Sequence, residues 1–403
     1  MGKFDVNLPP AAALPQTPVL VIDRAALERN LDRMQALCDA AGVRLRAHGK
    51  MHKCSTLGRM QVERGAVGLC CQTVGEAEAY AAAGIQDLLV TAPSPPWAAA
   101  RIAALAKTGV KVGAVADDEG QIDRLSDAAV TAGAALDLVV DLDLGQHRAG
   151  TYPKDALRLA RTADAAPGLR FAGIQAYLGH LQHVGDRAAR LAADQEAFAT
   201  LKDVIAELTA AGLPPAVVTG GGTGSHAFDL ASGVYTELQA GSYVVMDVEY
   251  GACDAPEAGD WPFEPAMFVA ATVVSANHKS HVTVDAGIKA LSMDGPPAQI
   301  VAGAAPGSLW RSMGDEHGMI AHPALLDVLK AGGRDPLAFA QAVAAADADP
   351  AKPFPADAPK VGDLVWLQPG HCDPTINLYD ALHVWDGERL ERWAVDGRRV
   401  SRR

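Results

Sequence analysis

The sequence predicts an α/β fold: a closed, TIM-like (β/α)8 barrel followed by a C-terminal, mostly antiparallel β domain. Three observations carry this. About eight short apolar runs alternate with amphipathic helical stretches between residues 44 and 240. That rhythm stops near residue 250, and β-rich runs follow without regular helices between them. The chain has 403 residues, enough for two domains with substantial cores. An open doubly wound sheet is the alternative if the strand count is off by one or two. The expected division is a barrel over residues 24–249 and a β domain over 250–403, with 1–23 joined to it.

In chain order, the run Pro18–Ile22 precedes the first helix and is placed to pair with the later β domain. Leu27, Leu31, Met34 and Cys38 then follow the i, i+4, i+7, i+11 spacing of a helix face. The expected barrel strands are Arg44–Ala47, Val67–Cys71, Asp87–Thr91, Lys111–Val115, Leu136–Asp141, Phe171–Tyr177, Ala216–Thr219 and Thr236–Gln239. Phe268–Ser275, His281–Asp285 and Leu364–Gln368 read as strands of the second domain. Residues 333–359, rich in Ala, Asp and Pro, read as a helix-plus-loop insertion into it. No internal repeat is visible.

The net charge of −13 repels nucleic acid and anionic membranes, so neither is an expected partner. The basic run Arg398–Arg403 is a local exception, read as a solvated tail or a subunit contact. Six cysteines form no CxxC pair or dense disulfide framework, which fits a reducing cytosol. No secretory signal and no apolar run of membrane-spanning length is visible, so the expected location is cytoplasmic.

Barrel active sites lie at the C-terminal ends of strands, so the chemistry is sought there. The stretch RAHGKMHK (46–53) ends the first barrel strand. Read as extended chain, His48, Lys50 and His52 share one face. A lysine between two imidazoles is costly to bury unless paired or neutral. A neutral lysine is a nucleophile toward carbonyls, including that of pyridoxal 5′-phosphate (PLP). The plain alternative is a solvated strand end.

Four glycines and two hydroxyls in Gly220–Ser225 offer backbone and side-chain donors to a phosphate, and Ser242 and Tyr243 could add more. The alternative is a flexible turn. Arg148 lies between Gly145 and Gly150 after another strand, able to reach a cofactor oxygen or to pair with an aspartate. Gln175 and Tyr177 share a strand face, and His180 and His183 lie in the loop beyond, where a proton shuttle could reach substrate. His371 and Asp373, at i and i+2, can hold one divalent ion such as Mn²⁺, Mg²⁺, Co²⁺ or Zn²⁺, with Cys372 pointing away. The alternative is an Asx turn ahead of Pro374.

Together these pieces resemble the fold-type III PLP enzymes, in the branch of D-threonine aldolase and 3-hydroxyaspartate aldolase. The matching stretches are RAHGKMHK (46–53), CCQTVGEAE (70–78), GQHRAG (145–150), IQAYLGHLQH (174–183), GGGTGS (220–225), ELQAGSY (237–243), VDAGIKA (284–290), GDEHG (314–318) and PGHCDPT (369–375). They follow the family's order over nearly the whole chain. Leu178 and His180 depart from the family's pattern.

The resemblance implies an alanine-racemase-like barrel with a β domain, assembled as a homodimer. It implies that Lys50 carries PLP, and that Gln72, Arg148, Tyr177, Gly221, Gly222, Thr223, Gly224, Ser242 and Tyr243 surround it. His371 and Asp373 would hold the divalent metal, and His183 would sit near the substrate's β-hydroxyl, with His52 as a further catalytic candidate. The implied reaction is cleavage of a D-β-hydroxy-α-amino acid to glycine and an aldehyde. The related D-serine dehydratases carry a His-x-Cys metal pair, whereas here the i+2 residue is Asp373 and the cysteine is at i+1. A dehydratase of D-serine or 3-hydroxyaspartate is the second reading. A racemase and a PLP-binding protein without turnover follow.

Overall fold

The computed structural model describes residues 6–332 and 335–398. They form two compact units. The first runs to Glu28 and includes Val245–Gly251 and Glu264–Trp393. The second comprises Arg29–Val244, Ala252–Phe263 and the described residues from Ala394. Residues 333 and 334 of the expected insertion, and 399–403 of the basic tail, lie outside the described residues.

The first strand, β1 (Val19–Asp23), belongs to the first unit; the next eight close the barrel of the second. These are β2 (Arg44–His48), β3 (Gly68–Cys71), β4 (Asp87–Val90), β5 (Lys111–Ala116), β6 (Leu136–Asp141), β7 (Leu169–Ala176), β8 (Val217–Gly220) and β9 (Glu237–Leu238). Every pair is parallel, in sequential order, and β9 returns to β2 through Arg44↔Glu237 and Leu45↔Leu238. The closed barrel therefore holds over the open sheet. The strands are mostly apolar because both faces are covered, inside by the barrel core and outside by helices, with charged residues such as Arg44, Lys111 and Arg170 near strand starts.

Arg46 points into this apolar interior, where an unpaired charge would be prohibitive. It is held by Glu237 on β9, at 2.6 and 3.1 Å, and by Asp87 on β4, at 2.6 Å. β7 begins two residues earlier than expected. It carries an irregularity where Leu138 and Val139 pair with Phe171 and Gly173. A Cβ at Gly173 would collide with the Val217 carbonyl oxygen, so glycine is what lets β7 and β8 pair there.

Helix starts are marked by caps. Thr73 accepts from Glu76 N, while the Glu76 carboxylate accepts from Gln72 N at 2.7 Å, a near-reciprocal capping box. Asp118 caps the helix Glu119–Ala132 by accepting from Gln121 N at 2.8 Å, and Gly133 ends it in the left-handed region. Asp186 caps the 24-residue helix Arg187–Ala210.

The first unit holds β1 and a further eight strands: β10 (Met267–Ser275), β11 (His281–Val284), β12 (Gln299–Ala302), β13 (Leu309–Ser312), β14 (Gly318–Ala321), β15 (Leu364–Gln368), β16 (Ala381–Trp385) and β17 (Leu390–Ala394). The path through the sheet is β13-β14-β11-β10-β1-β16-β17, with β15 pairing both β10 and β12. As expected, β1 joins this domain, antiparallel to β10 and parallel to β16. β10 lacks polar alternation because both of its faces are buried. Val269 and Val273 face a core with Val284, Ile320 and Leu367; Phe268 and Ala270 face one with Val19, Trp366 and Trp385. The insertion contributes the helix Pro336–Ala348, which packs Val343 and Ala346 against Val328 of the helix Leu326–Gly332 and Leu325 just before it. Among the described residues no helix is long and apolar enough to cross a membrane.

Candidate active site

β2 stops at His48, and the chain turns at once. Lys53 N donates to the Gly49 carbonyl at 2.8 Å, and Met51 N to that of His48 at 3.4 Å. The extended reading of residues 48–52 is thus corrected: the side chains there do not alternate. Only glycine fits at position 49, where a Cβ would stand 2.6 Å from the Tyr80 ring. Tyr80 in turn donates to the Gly49 carbonyl at 2.7 Å.

The consequences for the two histidines differ. His52 is fully buried, accepts from Cys54 N on Nδ1 at 3.0 Å, and bonds Gln61 Oε1 through Nε2 at 3.2 Å. Both ring nitrogens are spent on the protein, so the catalytic expectation for His52 is corrected to a scaffolding one. His48 bonds Thr91 Oγ1 through Nε2 at 3.1 Å, and its buried Nδ1 has no partner. Burial, with Lys50, His52 and Arg148 adding to it, holds its pKa well below the ordinary value, so His48 is neutral at neutral pH.

Lys50 Nζ and Arg148 Cζ approach one ring, that of Tyr177, at 5.9 and 5.7 Å from its centroid. Three expected cofactor residues from three strand ends therefore converge. A cavity of about 230 Å³ opens beside them, lined by Gln72, Thr91, Asp141, Arg148, Gln175 and Tyr177. Gln72 is thereby placed at the site.

The cavity floor is a buried polar network. Gln175 Nε2 donates to Asp141 Oδ1 at 2.8 Å and to the Thr91 carbonyl at 3.0 Å, and Gln175 Oε1 accepts from Gln239 at 3.0 Å. Burial pushes Asp141 up to about 7, against the opposing Gln175 amide. Asp141, Gln239 and Thr91 carried no sequence signal beyond their place at strand ends.

The glycine loop departs from its expected role in part. Gly222 N is taken by Asp229 Oδ2 at 3.1 Å, and Gly224 N by Gln182 Oε1 at 2.9 Å. Those two amides bind protein, and the phosphate expectation passes to the backbone of Gly221 and Thr223 and the hydroxyls of Thr223 and Ser242. Thr223 Oγ1 accepts from Tyr243 N at 3.0 Å, which leaves its hydrogen to donate elsewhere. The Tyr243 hydroxyl is fully buried and accepts from Gln61 at 3.1 Å, so Tyr243 braces the loop rather than offering that hydroxyl.

His180 lies in the short turn Gly179–Leu181 and is exposed, and His183, just after it, is half-buried. Burial lowers the His180 pKa. His183 follows Gln182, the residue bonded to the glycine loop.

In the first unit, His371 caps the short helix Cys372–Ile376. Because that segment is helical, the expected alternation fails: the Cys372 thiol lies 3.6 Å from the Asp373 carboxylate instead of pointing away. His371 Nε2 faces Asp373 Oδ2 at 3.8 Å, while Nδ1 faces Asp294 at 3.1 Å and Glu249 at 3.9 Å. An imidazole and a carboxylate are suitable donors for a divalent ion. Among the described residues no group of three or more His, Cys, Asp or Glu is arranged to hold a metal.

The residues around Lys50 suit PLP. An amine and a guanidinium converge on one ring, and two residues before the amine stands the neutral imidazole of His48 with an unpartnered buried nitrogen.

Comparison with known proteins agrees. Residues 22–248 match the family model of the alanine racemase N-terminal domain, and 266–385 that of a putative serine dehydratase domain. The chain is 38% identical to a D-threonine aldolase of an Arthrobacter species, covering 98% of each chain. It is 39% identical to a 3-hydroxy-D-aspartate aldolase of Paracoccus denitrificans (strain Pd 1222), covering 95% of this chain and 92% of that one. The crystal structure of D-threonine aldolase from Filomicrobium marinum superposes with a TM-score of 0.83 at 36% identity, covering 95% of this chain and 96% of the other.

Proposed function

The chain belongs to the alanine-racemase-like family that contains D-threonine aldolase and 3-hydroxy-D-aspartate aldolase, and from that membership we propose that it is an aldehyde-lyase. It cleaves D-β-hydroxy-α-amino acids, D-threonine among them, to glycine and an aldehyde. The observation that carries the reading is the convergence of Lys50 and Arg148 on Tyr177 beside a cavity at the C-terminal ends of barrel strands.

PLP, when bound, takes up the electron pair released at the substrate's α-carbon. Lys50 would carry it, Arg148 would contact its ring, and the Gly221–Gly224 loop with Ser242 would hold its phosphate. His183 takes the proton of the β-hydroxyl, the Cα–Cβ bond breaks, and the aldehyde departs. A proton delivered to Cα completes glycine. His48, neutral and anchored to Thr91, keeps the surroundings of Lys50 free of a further positive charge. His371 and Asp373 would hold a divalent ion, which would supply Lewis-acid chemistry. The same proposal includes a homodimer.

The putative serine dehydratase match over residues 266–385 favours a second reading, ammonia loss from the same substrates. Against it, Asp373 stands at the position where a His-x-Cys pair would carry its cysteine.

Lys50→Ala tests the assignment. The variant is expected to lose the visible absorbance of lysine-bound PLP and all measurable cleavage of D-threonine. Retained turnover without Lys50 would remove it from its role.

A further inference from the structure

We propose that Gln182 is a positioning residue, one that shapes the glycine loop for the cofactor phosphate and ties that loop to the histidine segment Gly179–His183. The inference rests on the PLP reading above and goes beyond it. Gln182 is 1% exposed, and both ends of its amide are used. Oε1 accepts from Gly224 N at 2.9 Å, and Nε2 donates to Ser225 Oγ at 2.8 Å. Ser225 passes its own hydrogen to Asp229 Oδ2 at 2.6 Å, and that same oxygen accepts from Gly222 N at 3.1 Å. The ring Gln182–Gly224–Ser225–Asp229–Gly222 thus fixes the loop from behind.

Packing adds to the hydrogen bonds. A Cβ at Gly222 would collide with the Gln182 amide oxygen, and one at Gly224 with the Gln182 backbone carbonyl. Two of the loop's glycines are therefore required by contact with Gln182, not by a phosphate. Because Gln182 precedes His183 and reaches the Leu178 carbonyl at 3.4 Å, the loop and the histidine segment are set by one side chain.

The position demands an acceptor and a donor from one planar group. Leucine supplies neither. Glutamate supplies both only while protonated; once ionised it is acceptor-only, and it competes with Asp229 for the Ser225 hydrogen.

The test titrates the cofactor-free protein and its Gln182→Leu and Gln182→Glu variants with PLP and with pyridoxal, which lacks the phosphate, following absorbance. Gln182→Leu is expected to weaken PLP binding by at least about tenfold and leave pyridoxal binding unchanged. A general loss of folding would weaken both. Gln182→Glu is expected to approach wild-type PLP affinity at low pH and to lose it as pH rises, relative to wild type measured alongside. At saturating PLP both variants should still show a reduced kcat, because His183 is no longer held in place. Wild-type PLP affinity in both variants, or equal losses for PLP and pyridoxal, would overturn the inference alone. A wild-type protein that takes up no PLP would overturn the functional reading and this inference with it.

Discussion

Asp141 is a carboxylic acid buried under the candidate cofactor cavity, with Gln175 as its hydrogen-bond donor. Burial raises its pKa to about 7, so the folded chain holds a proton there that the unfolded chain releases near pH 4. Folding then binds a proton between about pH 4 and about pH 7, and stability falls as pH rises through that window and levels off above it. Asp141→Asn keeps an acceptor for Gln175 and removes the titration. Relative to wild type, the variant should gain stability across this window, by on the order of 4 kcal/mol at most. Denaturant unfolding at about pH 5 and about pH 8 checks this; an unchanged pH slope would contradict it. The individual cofactor candidates Lys50, Arg148 and Tyr177 were legible because each is an unusual side chain at a strand end. Asp141 and Gln182 were not, since their roles come from what they touch, and nothing in their spacing announces a buried carboxyl or a bridging amide.

At the scale of elements, the barrel strands were readable because burial on both faces leaves short, mostly apolar runs, and β6 and β15 have the predicted bounds. The errors lie at strand ends. His48 to His52 turn where alternation is expected, closed by backbone bonds from Lys53 N to Gly49 and Met51 N to His48. His371 stands at the start of the helix Cys372–Ile376, and alternation fails there too. The strands β12, β13 and β14 carry little sequence signal, being four residues each, and β12 is defined by its distant partner β15. Helix caps are local and testable. Asp118→Ala removes the acceptor for Gln121 N at the start of Glu119–Ala132. It should cost about 1 kcal/mol in denaturant unfolding with little effect on PLP binding. A loss near zero would mean that water replaces the cap.

For the whole molecule, the barrel and the antiparallel sheet each have their own core, and the family match extends over both. The order of motifs along the chain was legible without coordinates because each unit contributes its own recognisable segments. Choosing between carbon–carbon cleavage and ammonia loss is a question of chemistry that the fold shares between both outcomes. The most direct measurement incubates the purified protein with PLP, Mn²⁺ and D-threonine and assays acetaldehyde plus glycine against ammonia plus 2-oxobutanoate. Acetaldehyde and glycine in equal amounts are predicted. Ammonia and the oxo acid would contradict the aldolase reading and make Asp373 compatible with hydroxyl elimination.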